Sequence, residues 1–454
     1  MANFDRRTFI ALLSTPAVLS LLQACGGDDA SDTDGTDAGP DDTATSTTAA
    51  TAVGFGEARS GVPREAGDPA AAAGAARAVN AFAADLYQRI AADTTNLVFS
   101  PASILIALAM ARAGAAGATA NEMDAVLHTD QAGPAEVAIH PAMNSLTAAL
   151  EERSGSFPTG DGDADVRLAI ANSLWGQDGL AWAEAFLDLL AAQYGAGLRL
   201  VDYVGDPEAA RASINTWVND ETEGRIPELL AQGTVSADSR LTLVNAVYLK
   251  APWLQPFVED ATVTGAFTTV SGATVQVPMM HASRSFAHAI GSRWQAVEIP
   301  YVGGSLAMLL VVPDAGALGE VEQGLGSGLL DEIAASLGRR QVNLGMPKFD
   351  IETKAELTSL LAALGMPSAF DPNAADFSAM TAEEQLFIGF VVHQANITVD
   401  EAGTEAAAAT AVGMEATAAP SDPVELEIDR PFVYLLRDVP TGTVLFLGRV
   451  GDPS

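Results

Sequence analysis

The side chains that could perform acid–base or nucleophilic chemistry are few and scattered in this sequence. The chain of 454 residues contains five histidines and one cysteine, and it has no Gly-x-Ser-x-Gly or His-Glu-x-x-His motif. Carboxylates are plentiful, but no spacing marks a catalytic pair, and no glycine-rich phosphate loop stands out. We therefore expect a protein that is not an enzyme and that carries no metal or cofactor. The histidines are His128, His140, His281, His288 and His393.

One stretch near the C-terminus, Glu401–Ala419, differs in composition from the rest of the chain. Its alanines favour a helix, whereas its threonines and Val412 favour a strand. As a strand it would present small uncharged side chains on one face, because successive side chains alternate. Such a strand could enter between two existing strands without burying a charge. An exposed loop or a short helix is the alternative. The small face would consist of Thr404, Ala406, Ala408, Thr410 and Val412.

The elements that must position this stretch include two clear strands. Leu241–Lys250 is apolar on both faces, which predicts a central strand of a sheet. Val392–Asp400 ends in a strand pattern directly before the unusual stretch. Elsewhere, we expect one helix at Val321–Ser336 and another at Ala120–Leu127, with Thr119 as its N-cap.

Several blocks of the sequence resemble the serpins, a family of serine protease inhibitors. Glu401-Ala402-Gly403-Thr404, followed by small residues and Thr410, is similar to the hinge of the serpin reactive loop. Asn96–Ser103, Thr222–Ile226 and Met346–Phe349 resemble further family blocks, and the resemblance covers roughly residues 75–451. It implies an α+β serpin fold with a large mixed central β-sheet, smaller sheets, about eight to nine surrounding helices and an exposed reactive loop.

The resemblance also implies a mechanism. A serine protease would attack the loop as if it were a substrate and form an acyl-enzyme. The hinge would then insert into the central sheet, and serpin loop insertion is an established example of strand addition. Family spacing places the reactive bond at Thr417–Ala418, and its small neighbours imply an elastase-like or subtilisin-like target; Met414–Glu415 is a weaker candidate. The implied hinge consists of Glu401, Gly403, Thr404, Glu405, Ala406, Ala407, Ala408, Ala409 and Thr410.

Two polar clusters follow from the same resemblance. The first, called the shutter, would lie under the central sheet where its strands part. The second, called the breach, would lie at the top of the sheet and control entry of the loop. The alternatives are that His393 is an ordinary hydrogen-bonded strand histidine and that Lys348 is a solvated surface residue. The shutter would consist of Ser100, Ser103, Asn245 and His393. The breach would consist of Trp253, Lys348 and Glu401.

The charge of the chain limits its partners. The net charge of −35 argues against binding to nucleic acid or to an anionic membrane surface, which both require clustered Lys and Arg. Heparin-binding serpins carry a basic helix within the region that is here Ala115–Glu152, but this region contains no Lys or Arg. We therefore expect no binding of heparin. The resemblance implies a covalent complex with a target serine protease, and we expect the protein to be a monomer.

Two other functions remain open. The protein could be a non-inhibitory member of the same fold that binds or supports another molecule. Such members usually carry charged or bulky residues on the inserting face, which this hinge lacks. From another class, a lipid-anchored hydrolase that uses carboxylates is the second alternative.

The N-terminus has the pattern of an export signal. An arginine pair, Arg6-Arg7, precedes an apolar run that is too short for a membrane span, which resembles a twin-arginine signal. Leu22–Gly26 resembles a bacterial lipobox, in which Cys25 would be lipidated; a plain cleaved signal is the alternative. We expect a signal at residues 1–25, a disordered acidic linker at 26–74 and the serpin domain at 75–454. The protein would then be exported and lipid-anchored at the bacterial cell envelope, or extracellular.

Overall fold

The computed structural model describes residues 55–92, 94–133, 139–160, 162–405 and 422–454. These residues form ten α-helices and seventeen β-strands, which confirms the α+β class. The helices slightly outnumber the expectation because single-turn segments such as the four-residue α4 are included. The helices are α1 (Pro69–Ile90), α2 (Pro101–Arg112), α3 (Gly117–Val126), α4 (Thr129–Ala132), α5 (Ile139–Glu151), α6 (Glu184–Tyr194), α7 (Pro207–Glu221), α8 (Leu318–Gly324), α9 (Leu329–Ser336) and α10 (Thr358–Leu364). The strands are β1 (Gly56–Ala58), β2 (Leu97–Phe99), β3 (Gly155–Thr159), β4 (Gly162–Gln177), β5 (Leu198–Val201), β6 (Leu241–Pro252), β7 (Val263–Thr268), β8 (Thr274–Gly291), β9 (Trp294–Pro300), β10 (Leu306–Pro313), β11 (Gly338–Pro347), β12 (Phe349–Glu356), β13 (Val391–Val399), β14 (Gly403–Thr404), β15 (Val424–Glu427), β16 (Phe432–Asp438) and β17 (Thr443–Val450).

The central sheet has eight strands in the order β1-β5-β4-β6-β14-β13-β12, with β3 paired to β4. Strand β6 is buried along most of its length, as its apolar sequence predicts. It pairs in parallel with β13 from Leu243 and Val391 to Val247 and Ala395. Beyond these residues the two strands are separated by β14, which is antiparallel to both. We call the space between β6 and β13 beyond Val247 and Ala395 the wedge.

The second sheet has nine strands in the order β15-β11-β8-β9-β10-β16-β17-β2, with β7 paired to β8. The 18-residue strand β8 pairs with β7, β11 and β9, so it joins the expected smaller sheets into one. Strands β10 and β17 are buried at every position; the sequence of β10 is apolar throughout, whereas β17 also buries Thr443 and Arg449. One continuous hydrophobic core joins these strands to α1, α2 and the central sheet.

Two helix predictions are wrong in detail. The helix expected at Val321–Ser336 is divided into α8 and α9, because Gly328 between them adopts the left-handed conformation with φ of 89°. Thr119 does not cap α3, which begins at Gly117 after Ala116. The Thr119 hydroxyl instead accepts the backbone N–H of Asp376 at 3.0 Å, a partner that is distant in sequence.

The folded part of the chain begins before the boundary predicted at residue 75. Strand β1 adds to the edge of the central sheet by pairing with β5, and the Phe55 ring packs against Trp175 at 4.9 Å. Helix α1 begins at Pro69, with the Asp68 side chain accepting the N–H of Ala70. The predicted disordered linker is therefore wrong for residues 55–74. This short edge strand is held by backbone hydrogen bonds and contains few apolar residues, so its sequence carries no strand pattern.

The predicted signal, Cys25 and the first part of the acidic linker lie outside the described residues. Among the helices that the structure describes, none is long and apolar enough to cross a membrane.

Candidate functional site

The first hinge residues already lie inside the central sheet. Gly403 pairs with Pro252 and Thr404 pairs with Ala251, so both occupy the wedge between β6 and β13. A Cβ atom at Gly403 would lie 2.3 Å from the carbonyl oxygen of Ala251, so only glycine fits there. The Thr404 side chain is 1% exposed, and its hydroxyl lies 2.6 Å from the Tyr301 hydroxyl. The hinge is therefore partly seated in the intact chain.

Glu401 anchors the start of the hinge through two polar side chains. Its carboxylate accepts hydrogen bonds from Lys348 Nζ at 2.7 Å and from Thr262 Oγ1 at 2.6 Å. The Glu401 side chain is 10% exposed, whereas that of Lys348 is 38% exposed. Burial alone would raise the pKa of Glu401, but the hydrogen bonds from Lys348 and Thr262 outweigh it, and the net pKa lies below the ordinary value. Lys348 is therefore paired, and Glu401 stays ionised at neutral pH.

Trp253 lies beneath the backbone of the hinge. Its ring stacks on Tyr301 with centroids 4.5 Å apart and planes 10° apart. The indole Nε1–H donates to the carbonyl of Asp400 at 2.9 Å, and the Trp253 backbone N–H donates to the carbonyl of Ala402 at 2.9 Å. These contacts fix the backbone on both sides of Glu401, so the three predicted breach residues lie in one cluster.

The predicted shutter residues meet where β6 and β13 pair directly. The backbone N–H of Ser100 donates to His393 Nε2 at 3.0 Å, so the proton of the neutral ring is on Nδ1, which contacts Asn245 Oδ1 at 2.5 Å. Burial lowers the pKa of His393 to about 3. The Ser100 hydroxyl donates to the carbonyl of Leu445 at 2.6 Å. His393 therefore bridges α2, β6 and β13 as a neutral group.

Ser103 belongs to the same region but has a different partner. Its hydroxyl donates to Asn172 Oδ1 on β4 at 2.8 Å and does not contact His393. Asn172 and Asn245 face each other in the pairing of β4 with β6. Within the described residues, the buried Nδ2 atoms of both asparagines lack a hydrogen-bond partner. The closed sheet thus leaves buried amide groups only partly satisfied.

Part of the predicted site lies outside the described residues. This part includes the reactive bond Thr417–Ala418, the weaker candidate Met414–Glu415, and the small-residue run of the hinge from Ala406 to Thr410. Strand β15 begins at Val424 and pairs in parallel with β11. Among the described residues, Thr404 is the last paired residue of the central sheet before this gap, and Val424 is the first paired residue after it.

Comparison with known proteins identifies the family. The model of the serpin (serine protease inhibitor) family matches residues 77–453, so the chain belongs to the serpins. An uncharacterized serpin-like protein of Thermococcus kodakarensis is 37% identical over 379 residues, which cover 83% of this chain and 85% of the relative. Leukocyte elastase inhibitor A of Rattus norvegicus is 35% identical over 383 residues, which cover 82% of this chain and 97% of the relative.

Solved structures confirm the serpin fold. The native state of tengpin, a thermophilic serpin, aligns with a TM-score of 0.75 at 24% identity and covers 88% of this chain and 99% of its own. A thyroxine-binding globulin complex with thyroxine aligns with a TM-score of 0.70 at 29% identity and covers 83% of this chain and 99% of its own.

Four residues of the site carry no clear signal in the sequence alone. Tyr301 and Thr262 each bond to a hinge side chain more than a hundred residues away. Asn172 lies on β4 opposite Asn245 and accepts the hydrogen bond of the Ser103 hydroxyl. Arg225 was part of a family-like block, but nothing in that block indicated its contact with Glu405. A polar residue within an apolar strand is the one cue that could have marked Asn172.

Proposed function

We propose that this protein is a suicide-substrate inhibitor of a serine endopeptidase. The protease serine would attack the carbonyl carbon of Thr417, the bond to Ala418 would break with release of a new amino group, and an ester to the protease would remain. The freed hinge would then enter the central sheet between β6 and β13. The inserted strand from Thr404 to Thr417 would span roughly 45 Å at about 3.3 Å per residue, carrying the protease with it.

The single observation that carries this proposal is the position of β14. Gly403 and Thr404 already occupy the wedge as a two-residue strand. The next hinge residues would continue the same strand. They would enter the seam, which is the part of the sheet where β6 and β13 pair directly with each other. The small face of the hinge supports this continuation, since it would bury no charge.

Hydrogen bonding and apolar burial would drive the insertion. A new strand in the seam would pair with both neighbours, so the number of strand hydrogen bonds would increase. Asn245 lies in this seam opposite His393, and its buried Nδ2 atom, which lacks a hydrogen-bond partner, could find one when the two strands part. The uncleaved fold would then be held kinetically, because it lacks a strand that the sheet can accept.

The residues around the proposed reactive bond favour a protease with a shallow specificity pocket. No Lys or Arg occurs between Glu401 and Asp429, which argues against a trypsin-like target. The 35% identity to leukocyte elastase inhibitors supports an elastase-like target, and a subtilisin-like enzyme fits the same small residues. Cleavage at Met414–Glu415 instead would point to a chymotrypsin-like enzyme.

Incubation with pancreatic elastase and with subtilisin tests the proposal. We expect an SDS-resistant complex on denaturing gels, and mass spectrometry should place the new ends at Thr417 and Ala418. An elastase whose catalytic serine is replaced by alanine is the control, and it should form no such complex. Clean cleavage by every protease of a serine-protease panel, without a complex, would contradict the proposed function.

A non-inhibitory binding protein is the second candidate. The similarity to the thyroxine-binding globulin complex with thyroxine supports this candidate, because that protein has the same fold and binds a small molecule. Cleavage of the loop without trapping, together with binding of a small hydrophobic ligand, would support this candidate. Turnover of an unrelated substrate would instead support a hydrolase.

We further propose that the protein is an exported monomer, anchored through a lipid on Cys25. The arginine pair, the apolar run and the lipobox-like sequence support this proposal. Metabolic labelling with palmitate should mark the wild-type protein and not Cys25→Ala. Gel filtration of the soluble domain should give a single monomeric species.

A further inference from the structure

A small cavity lies between α2, α5, β4 and the end of α6. Its volume is about 130 Å³. An engineered apolar cavity of about 150 Å³ in another protein stays dry and binds benzene. By that comparison, a compact molecule of about six heavy atoms fits the cavity of this protein.

The walls of the cavity are mainly apolar. Ile106 and Met110 lie one turn apart on α2 and so share a face of that helix, and Leu168 and Ile170 share a face of β4. Leu150 of α5 adds to this lining. Such walls favour a ligand with an apolar body, because binding removes that body from water without leaving its atoms unpaired.

One side chain on the β4 wall carries an unpaired hydrogen-bond donor. Asn172 lies on the same face of β4 as Ile170, and its Oδ1 accepts the Ser103 hydroxyl at 2.8 Å. Within the part of the chain that the structure describes, its buried Nδ2 has no partner, and an unpaired buried N–H is unfavourable. The Tyr194 hydroxyl on the same cavity already has a partner, since it lies 2.8 Å from Nδ1 of His140. An oxygen atom of a ligand would therefore be stabilised next to Asn172.

An arginine spans the rim of the cavity. Arg64, from the segment between β1 and α1, donates hydrogen bonds to Thr147 Oγ1 at 2.7 Å and to Glu151 Oε1 at 2.6 Å, and both of these residues line the cavity. A Cβ atom at Gly195, which precedes the lining residue Ala196, would lie 3.2 Å from Cδ of Arg64. Because Glu151 already balances the charge of Arg64, the rim offers no net charge to an ionised ligand.

We propose that this cavity is a binding site for a small uncharged molecule with a compact apolar body and one carbonyl oxygen. The carbonyl oxygen accepts a hydrogen bond from Nδ2 of Asn172, and the apolar body contacts Ile106, Met110 and Ile170. A charged acid or amine is excluded because burial of its charge would have no partner. A hydroxyl group fits less well than a carbonyl, because it brings a further donor that must be satisfied.

The experiment titrates the methyl-labelled protein with cyclopentanone and follows the methyl signals of Ile106, Met110 and Ile170 by NMR. We expect these signals to shift in a saturable way. Cyclopentane has the same ring without the oxygen and is the matched probe. In Asn172→Leu, cyclopentanone should bind about tenfold more weakly than in the wild type, because the hydrogen bond is lost. Cyclopentane should bind to this variant no more weakly than to the wild type.

Two further variants test the position of the site. Ala196→Leu places a larger side chain in the cavity and should abolish the shifts caused by both probes. Ala282→Leu is the control, because Ala282 is also a partly buried alanine but lies on β8, and this variant should bind both probes as the wild type does.

The outcomes decide the proposal without any protease, because neither probe requires the reactive loop. Absence of saturable shifts in the folded wild-type protein would overturn it, and so would unchanged shifts in a folded Ala196→Leu protein. If Asn172→Leu binds cyclopentanone as tightly as the wild type, or loses both probes equally, the assigned hydrogen bond is refuted. Failure to trap elastase would refute the proposed inhibitory function and leave these results unaffected.

Discussion

Replacement of Thr404 by arginine should convert the inhibitor into an ordinary substrate. Thr404 is 1% exposed and lies between β6 and β13, with its hydroxyl against the Tyr301 hydroxyl. An arginine there would have to bury a guanidinium without a carboxylate partner, and an uncompensated buried charge costs about 3–5 kcal/mol. Since about 1.4 kcal/mol corresponds to a tenfold change in rate, insertion should slow by about a hundredfold or more. Hydrolysis of the acyl-enzyme should then be faster than insertion of the loop.

The assay compares trapping with cleavage on denaturing gels. At equal amounts of elastase and Thr404→Arg protein, we expect cleaved inhibitor and free elastase with almost no SDS-resistant complex. Thr274→Arg is the matched control, because Thr274 is exposed in β8, and this variant should trap elastase as the wild type does. A stable one-to-one complex with Thr404→Arg would refute the reasoning, since it would show that this position tolerates a charge during insertion.

Three further predictions concern the groups around the hinge. Lys348→Ala should lower the free energy of unfolding in urea by about 1 kcal/mol, because Glu401 loses a half-exposed partner, whereas Lys348→Arg should stay within error of the wild type. Tyr301→Phe should leave the Thr404 hydroxyl buried without its partner, so amide hydrogen exchange at the hinge should become faster; unchanged exchange would show that this bond does not hold the hinge. His393 and His140 have pKa values lowered by burial to about 3 and about 4, below the ordinary 6.5. Below pH 6.5 these histidines therefore bind protons in the unfolded chain but not in the folded chain. The free energy of unfolding should be highest above pH 6.5 and should fall at lower pH by up to about 1.4 kcal/mol per pH unit for each histidine. Urea midpoints at pH 7.5, 6 and 5 check this, and a flat profile would contradict it.

Much of the scaffold could be predicted because its signals are local. The unbroken apolar sequence of Leu241–Lys250 indicated a buried central strand, and β6 covers it. Local signals also mark the start of α2, where the Ser100 side chain accepts the N–H of Ser103 and Pro101 occupies the first helical position. The break at Gly328 was missed because a left-handed glycine within a periodic pattern has no signal beyond its residue type.

The contacts of the site could not be predicted from periodicity. The bond between Tyr301 and Thr404 joins residues 103 positions apart, and that between Ser103 and Asn172 joins residues 69 positions apart. The grouping of Lys348 with Glu401 came from the family resemblance and not from their spacing. The charge on Glu405 was assigned to the face opposite Thr404, but its left-handed conformation and its contact with Arg225 depend on tertiary packing.

The most direct measurement of the central claim is the thermal unfolding of the protein before and after cleavage of its loop by elastase. The account predicts that the cleaved protein unfolds at a clearly higher temperature and resists urea concentrations that unfold the intact protein, because a new strand has joined the central sheet. An unchanged unfolding temperature, with the two new chain ends still close together, would contradict it.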